Sequence, residues 1–299
     1  MWNPVPQTWI KAIRSNFFAT WPGLTAELVQ KNLKENIETS RGHIQSNRAN
    51  VRSTKLLPNQ ECHEIMTTEV RHHELFIKTV KLSGKIYSDQ TGCFPLTSSK
   101  GNRYVIVVYD HNSKVILAEP LKSRSVEYLL AATAKMHIFL RERGVHPKIH
   151  IMDNECSSTL RSYLKNNNIE LQLVPPILHR TNTAGKSIVI FKEHFISVLA
   201  TVHPSFPLHL WCRLIPLAVT TLNLMRPLRI NPKLSAYEIL NELFYYNKTP
   251  IAPPGCKIVV HEPSKKRGKW DIHRVNGWYL GMAPDHYRCH RIYIPKTRA

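Results

Sequence analysis

Short apolar runs bounded by polar turn residues recur through the middle of the chain. Lys85 to Asp89, Tyr104 to Tyr109 and Val115 to Pro120 read as strands, with Asp110-His111-Asn112-Ser113 as a hairpin turn. The period then lengthens. Val126, Leu129, Leu130, Thr133, Met136, His137 and Leu140 fall on or near one face of a helix over Ser125 to Arg143, and Gly144 sits where a C-terminal cap belongs. Lys148 to Met152 predicts a strand, Ser157 to Lys165 a helix and Glu170 to Val174 another strand. After the break at Pro175-Pro176, Ile188, Phe191, Phe195, Val198, Leu199 and Val202 form an apolar helical stripe. A further helix, kinked at Pro216, is expected between Phe206 and Met225. Three consecutive strands followed by alternating helices and strands predict an α/β fold: a mixed sheet with helices on both faces.

The flanks differ in composition and suggest four segments. Residues 1–55 hold eight Lys/Arg against three Glu, with a Trp21-Pro22-Gly23 turn and a short amphipathic stretch from Ala26 to Leu33. Residues 56–84 are polar with little periodicity and read as a linker. Residues 85–242 are the α/β domain. Residues 243–299 form a basic module; from Cys256 onward it has ten Lys/Arg against three acids, and strand candidates at Lys257 to His261, Gly277 to Leu280 and Arg291 to Ile294. Trp278 and Tyr279 read as its core, as in a small SH3-like barrel.

Charge narrows the choice of partner. Across 299 residues, 41 Lys/Arg against 21 Asp/Glu leave a formal net charge of +20, which favours a polyanion and places nucleic acid first. No unbroken apolar stretch suits a membrane span or a signal peptide. The six cysteines, at 62, 93, 156, 212, 256 and 289, contain no C-x-x-C pair. Reduced thiols in the nucleus or cytoplasm, without secretion, are therefore expected.

Three segments carry a specific resemblance: Tyr87-Ser88-Asp89-Gln90-Thr91-Gly92-Cys93-Phe94-Pro95, His150-Ile151-Met152-Asp153-Asn154-Glu155, and Val174-Pro175-Pro176 through Phe191-Lys192-Glu193-His194-Phe195. Together they are similar to the integrase of long-terminal-repeat retrotransposons, the retroviral-type catalytic core of the DDE superfamily. Leu222-Asn223-Leu224-Met225-Arg226, Ile230-Asn231-Pro232, Gly277-Trp278-Tyr279-Leu280-Gly281 and His286-Tyr287-Arg288-Cys289 extend the likeness over most of the chain. The resemblance implies a ribonuclease H-like fold, DNA as partner with a homo-oligomer as a further option, and Mg2+ or Mn2+ held by three carboxylates for phosphoryl transfer. It assigns the first two carboxylates to Asp89 and Asp153.

The third position departs from the pattern. A glutamate is expected early in the helix after Pro175-Pro176, yet Gly185 stands there, and no insertion has displaced a glutamate nearby. Glu155 is the one substitute close enough to weigh. Glu193 lies eight residues on, about 12 Å farther along the axis and rotated by roughly 80°. A core that keeps its fold but is deficient in strand transfer is the expectation. Two alternatives stay open: an active metal-dependent polynucleotidyl transferase using Asp89, Asp153 and Glu155, or a co-opted DNA- or chromatin-binding protein.

For nucleic-acid contact, the resemblance points to Arg180, Asn182, Lys186 and Lys192, and the basic loop of the last segment adds Lys265, Lys266, Arg267 and Lys269. Gly185-Lys186-Ser187 matches the end of a phosphate-binding loop, but such a loop requires glycine at 180, where arginine stands. Cys62-His63 and His72-His73 are adjacent pairs, and neighbouring residues rarely ligate one ion together, so no structural zinc is expected.

Overall fold

The computed structural model describes residues 4–33, 37–43, 84–153, 156–174, 183–262 and 268–297. All belong to one compact unit made of Met1–His43 and Leu82–Ala299. The expected linker, with Cys62, His63, His72 and His73, lies outside the described residues.

Strands β1 (Lys85–Gln90), β2 (Tyr104–Asp110) and β3 (Ile116–Leu121) form an antiparallel meander, and β4 (Ile149–Met152) and β5 (Glu170–Leu173) join it in parallel. The spatial order is β3-β2-β1-β4-β5. Helix α4 (Val126–Arg141) connects β3 to β4, and α5 (Ser158–Asn166) connects β4 to β5. An antiparallel trio continued by two parallel strands through helical crossovers is the ribonuclease H-like arrangement.

Alternate residues of β2 serve opposite faces of this sheet. Val105, Val107 and Tyr109 join the larger core beneath α6 (Thr183–Thr201) and α7 (Trp211–Leu224), while Ile106 and Val108 meet Ala132, Met136 and Leu140 of α4. Burial on both faces explains why this strand reads as an unbroken apolar run. Gly144 ends the turn after α4 with φ of 74°, a conformation glycine adopts without a Cβ penalty. Helix α7 runs on through Pro216.

Short helices α1 (Pro6–Arg14), α2 (Ala26–Asn32) and α3 (Ile37–His43) precede the sheet, and α8 (Ala236–Asn241) follows α7. The basic N-terminal segment is more deeply built in than its composition suggests. Trp9, Ala12, Phe17, Phe18 and Val29 enter the same core as α6 and α7. Trp21 stacks on Tyr246 at 4.4 Å between ring centroids, and Thr20 Oγ1 donates to the Phe244 carbonyl at 2.8 Å.

The C-terminal module is a separate antiparallel sheet, β6 (Lys257–His261), β7 (Arg274–Met282) and β8 (His290–Tyr293), in the order β6-β7-β8. Its buried Trp278, Tyr279, Leu280 and Met282 extend the main core, and β7 packs against α7. Among the described residues, no helix is long and apolar enough to cross a membrane.

Asn223, 1% exposed on α7, holds the edge strand to the helix layer. Its Oδ1 accepts from the Ile116 N–H at 3.0 Å and its Nδ2 donates to the Ile116 carbonyl at 2.8 Å. Asn223→Ala leaves two buried backbone groups without these partners and is expected to cost about 2–4 kcal/mol in urea unfolding. A loss below about 0.5 kcal/mol contradicts this role.

Candidate metal and nucleic-acid site

The pairing of β1 with β4 sets the site. Lys85 lies opposite Ile149, Ile86 opposite His150 and Tyr87 opposite Ile151. The pairing ends there, and Asp89 and Asp153 each lie two residues further along, on strands that run about 4.8 Å apart where they pair. Strand alternation puts Asp89 on the sheet face of Tyr87, which packs into the core beneath α6. Asp89 and Asp153 line one cleft of about 370 Å³ with Ser88, Gln90, Met152 and Arg124.

A buried polar contact ties the two strands together just below the acids. His150 Nε2 and Ser88 Oγ share a hydrogen bond of 2.7 Å, and both residues are almost wholly buried. The His150 ring lies 5.1 Å from that of His137, which stacks on Tyr163. Burial, followed by the neighbouring His137, lowers the His150 pKa to about 3. Burial and then Arg141 lower that of His137 to about 4. Both imidazoles are neutral at pH 7, so this layer adds no charge beneath the carboxylates.

Gly185 is the third residue of α6 and half-buried. It lies one turn before Ile188 on the stripe continued by Phe191, Phe195 and Val198, the side of the helix that faces the sheet. A Cβ built on Gly185 meets nothing within 4 Å. The position is open, and glycine leaves it without a donor atom. Glu193 faces away from the cleft, toward α3, with its Oε2 at 3.8 Å from His43 Nδ1. Glu155 lies outside the described residues, as do Arg180, Asn182, Lys265, Lys266 and Arg267.

Lys186 and Lys192 are exposed on α6. Lys269 is exposed beside Trp270, which is 99% exposed. In the C-terminal sheet, Lys257, His261 and Arg274 are exposed, whereas Trp278 and Tyr279 are core. Arg124 was not singled out by the sequence, because one cation in a loop before a helix carries no periodic signal. Only the fold brings it to the carboxylate cleft.

Among the described residues, no group of three or more His, Cys, Asp or Glu is placed to hold a metal ion. Two adjacent carboxylates fit a single hard divalent cation whose remaining ligands are water, as Mg2+ and Mn2+ accept. They do not fit a pair of cations bridged by a third carboxylate.

No protein-family profile matches this chain, and no curated protein sequence matches it. Its shape is similar to solved integrase structures. The catalytic core domain of BIV integrase aligns with a TM-score of 0.40 and 14% identity, over 53% of this chain and 93% of that one. A chain of the simian T-cell lymphotropic virus intasome, solved in complex with the PP2A regulatory subunit B56 gamma, aligns with a TM-score of 0.39 and 12% identity, over 73% and 81%. The strand order and register, rather than these scores, carry the fold assignment.

The buried histidines impose a pH dependence. His194, bonded to Thr221 Oγ1 at 2.9 Å, is likewise lowered to about 3, mainly by burial. Unfolded histidines take up protons near pH 6.5, whereas His137, His150 and His194 in the folded chain do so only near 3 to 4. Their contribution is therefore complete above about pH 6.5 and is lost as pH falls toward 3, by up to about 1.4 kcal/mol per pH unit for each group. Urea midpoints are expected to fall from pH 6.5 to 4.5, with a shallower fall in His150→Gln. A flat midpoint over that interval contradicts the assignment.

Proposed function

We propose that this chain is an integrase-type DNA-binding protein of retrotransposon lineage whose catalytic core no longer supports strand transfer. One observation carries the reading. Asp89 and Asp153, each two residues beyond the last β1–β4 pair, line one cleft, while the position that the resemblance assigns to a third carboxylate holds Gly185. The motif resemblance around these residues and the net charge of +20 support the same conclusion.

Asp89 and Asp153 are the residues that would hold Mg2+ or Mn2+, and such a cation supplies Lewis-acid polarisation of a phosphoryl oxygen. The chain's own contributions are simpler to derive. The Ser88–His150 contact fixes the separation of the two strand ends. Lys186 and Lys192 offer positive charge along α6 for a phosphate backbone. Without a carboxylate at 185, nothing on α6 completes the oxygen cage on that side.

The test is a nicking assay on supercoiled plasmid DNA with Mg2+ or Mn2+, comparing the natural protein, Asp89→Asn and Gly185→Glu. The natural protein is expected to match Asp89→Asn, whereas Gly185→Glu, whose side chain enters open space, is expected to gain at least about tenfold, a barrier change of about 1.4 kcal/mol. Nicking by the natural protein that Asp89→Asn abolishes would overturn the proposal. Silence from Gly185→Glu would remove Gly185 as the cause of inactivity.

A further inference from the structure

We infer that Arg124, Lys122, Arg103 and Lys100 form a subsite for a phosphodiester backbone beside the carboxylate cleft. This rests on the reading of the chain as a DNA-binding protein.

The four cations come from two loops, and the β2–β3 pairing brings those loops together. Tyr104 lies opposite Leu121, and the Arg103 N–H donates to the Leu121 carbonyl at 2.8 Å, which places Arg103 beside Lys122 at the end of the ladder. Gly101 closes the approach from the other side: a Cβ there would lie 3.9 Å from Lys122 Cδ. Lys100 precedes that glycine. All four side chains are exposed, and among the described residues none of them is ion-paired.

Arg124 joins this cluster to the cleft. Its Nη2 donates to the Thr91 carbonyl at 2.8 Å, and its guanidinium lies 5.0 Å from the centre of the Tyr104 ring. These interactions hold a long side chain in one place, lowering the entropy cost when it binds. The anchored guanidinium lines the same cleft as Asp89 and Asp153. It retains further N–H donors, and a guanidinium matches the paired oxygens of a phosphate. Glu127, in the first turn of α4, is the nearby acid on the same connection, and Glu119 is already paired with Lys135. Positive charge thus predominates on this rim.

Anisotropy of a fluorescein-labelled duplex, titrated with the full chain over a range of salt concentrations, tests the subsite. Removing one cation that neutralises a phosphate is expected to lower the salt slope by about 0.9, which corresponds to about eightfold in affinity at 0.1 M salt. Arg124→Gln should show this decrease and, separately, Arg103→Gln with Lys122→Gln a decrease of about 1.8, and Arg124→Lys should restore most of the slope. Lys148→Gln, at the opposite end of β4, should not change it. The exposed double variant keeps the test decisive if Arg124→Gln loosens the Thr91 loop. Rim variants that bind as the natural protein does would overturn the subsite while leaving DNA binding intact. A natural protein with no salt-dependent DNA binding would overturn both.

Discussion

The parallel pairing of β1 with β4 is the constraint on which the rest depends. Those two strands are far apart in sequence, and their pairing brings Asp89 and Asp153 to one cleft. The pairing is held by the backbone ladder, by apolar layers on both faces and by the buried contact between Ser88 and His150. Burial keeps His150 neutral, which avoids placing a second charge in a dry layer. The meander of β1 to β3 adds the other half of the site, since the β2–β3 ladder carries Arg103, Lys122 and Arg124 to the same end of the sheet.

Local pattern made much of this fold legible. Period-two and continuous apolar runs located all five strands of the main sheet to within about two residues, and Gly144 marked the end of α4. Asp89 and Asp153 were picked out because each lies in a motif at a predicted strand end, and the fold brings both to one cleft. What escaped the sequence is what depends on distant partners. Trp9, Phe17 and Phe18 look like isolated apolar residues in a basic arm until α6 and α7 supply the surface they bury. Trp21 finds its stacking partner Tyr246 only in the folded chain. Arg124 acquires a function-bearing position through Thr91 and Tyr104, neither of which is its sequence neighbour.

A glycine at position 185 need not disturb such a fold. Gly185 lies in the first turn of α6, where the helix has few intrahelical bonds to lose and the propensity cost is smaller than in its interior. The stripe that anchors the helix begins only at Ile188. Structure and chemistry are therefore separable here. The packing that orders α6 comes from its middle rather than from position 185. The excess of positive charge is also independent of that position.

The most direct test of this account is Mn2+ binding followed by electron paramagnetic resonance on the full chain, Asp89→Asn and Gly185→Glu. The account predicts weak binding by the natural protein, loss of that binding in Asp89→Asn, and clearly tighter binding in Gly185→Glu. Natural protein that binds Mn2+ as tightly as Gly185→Glu, or binding indifferent to Asp89→Asn, would contradict it.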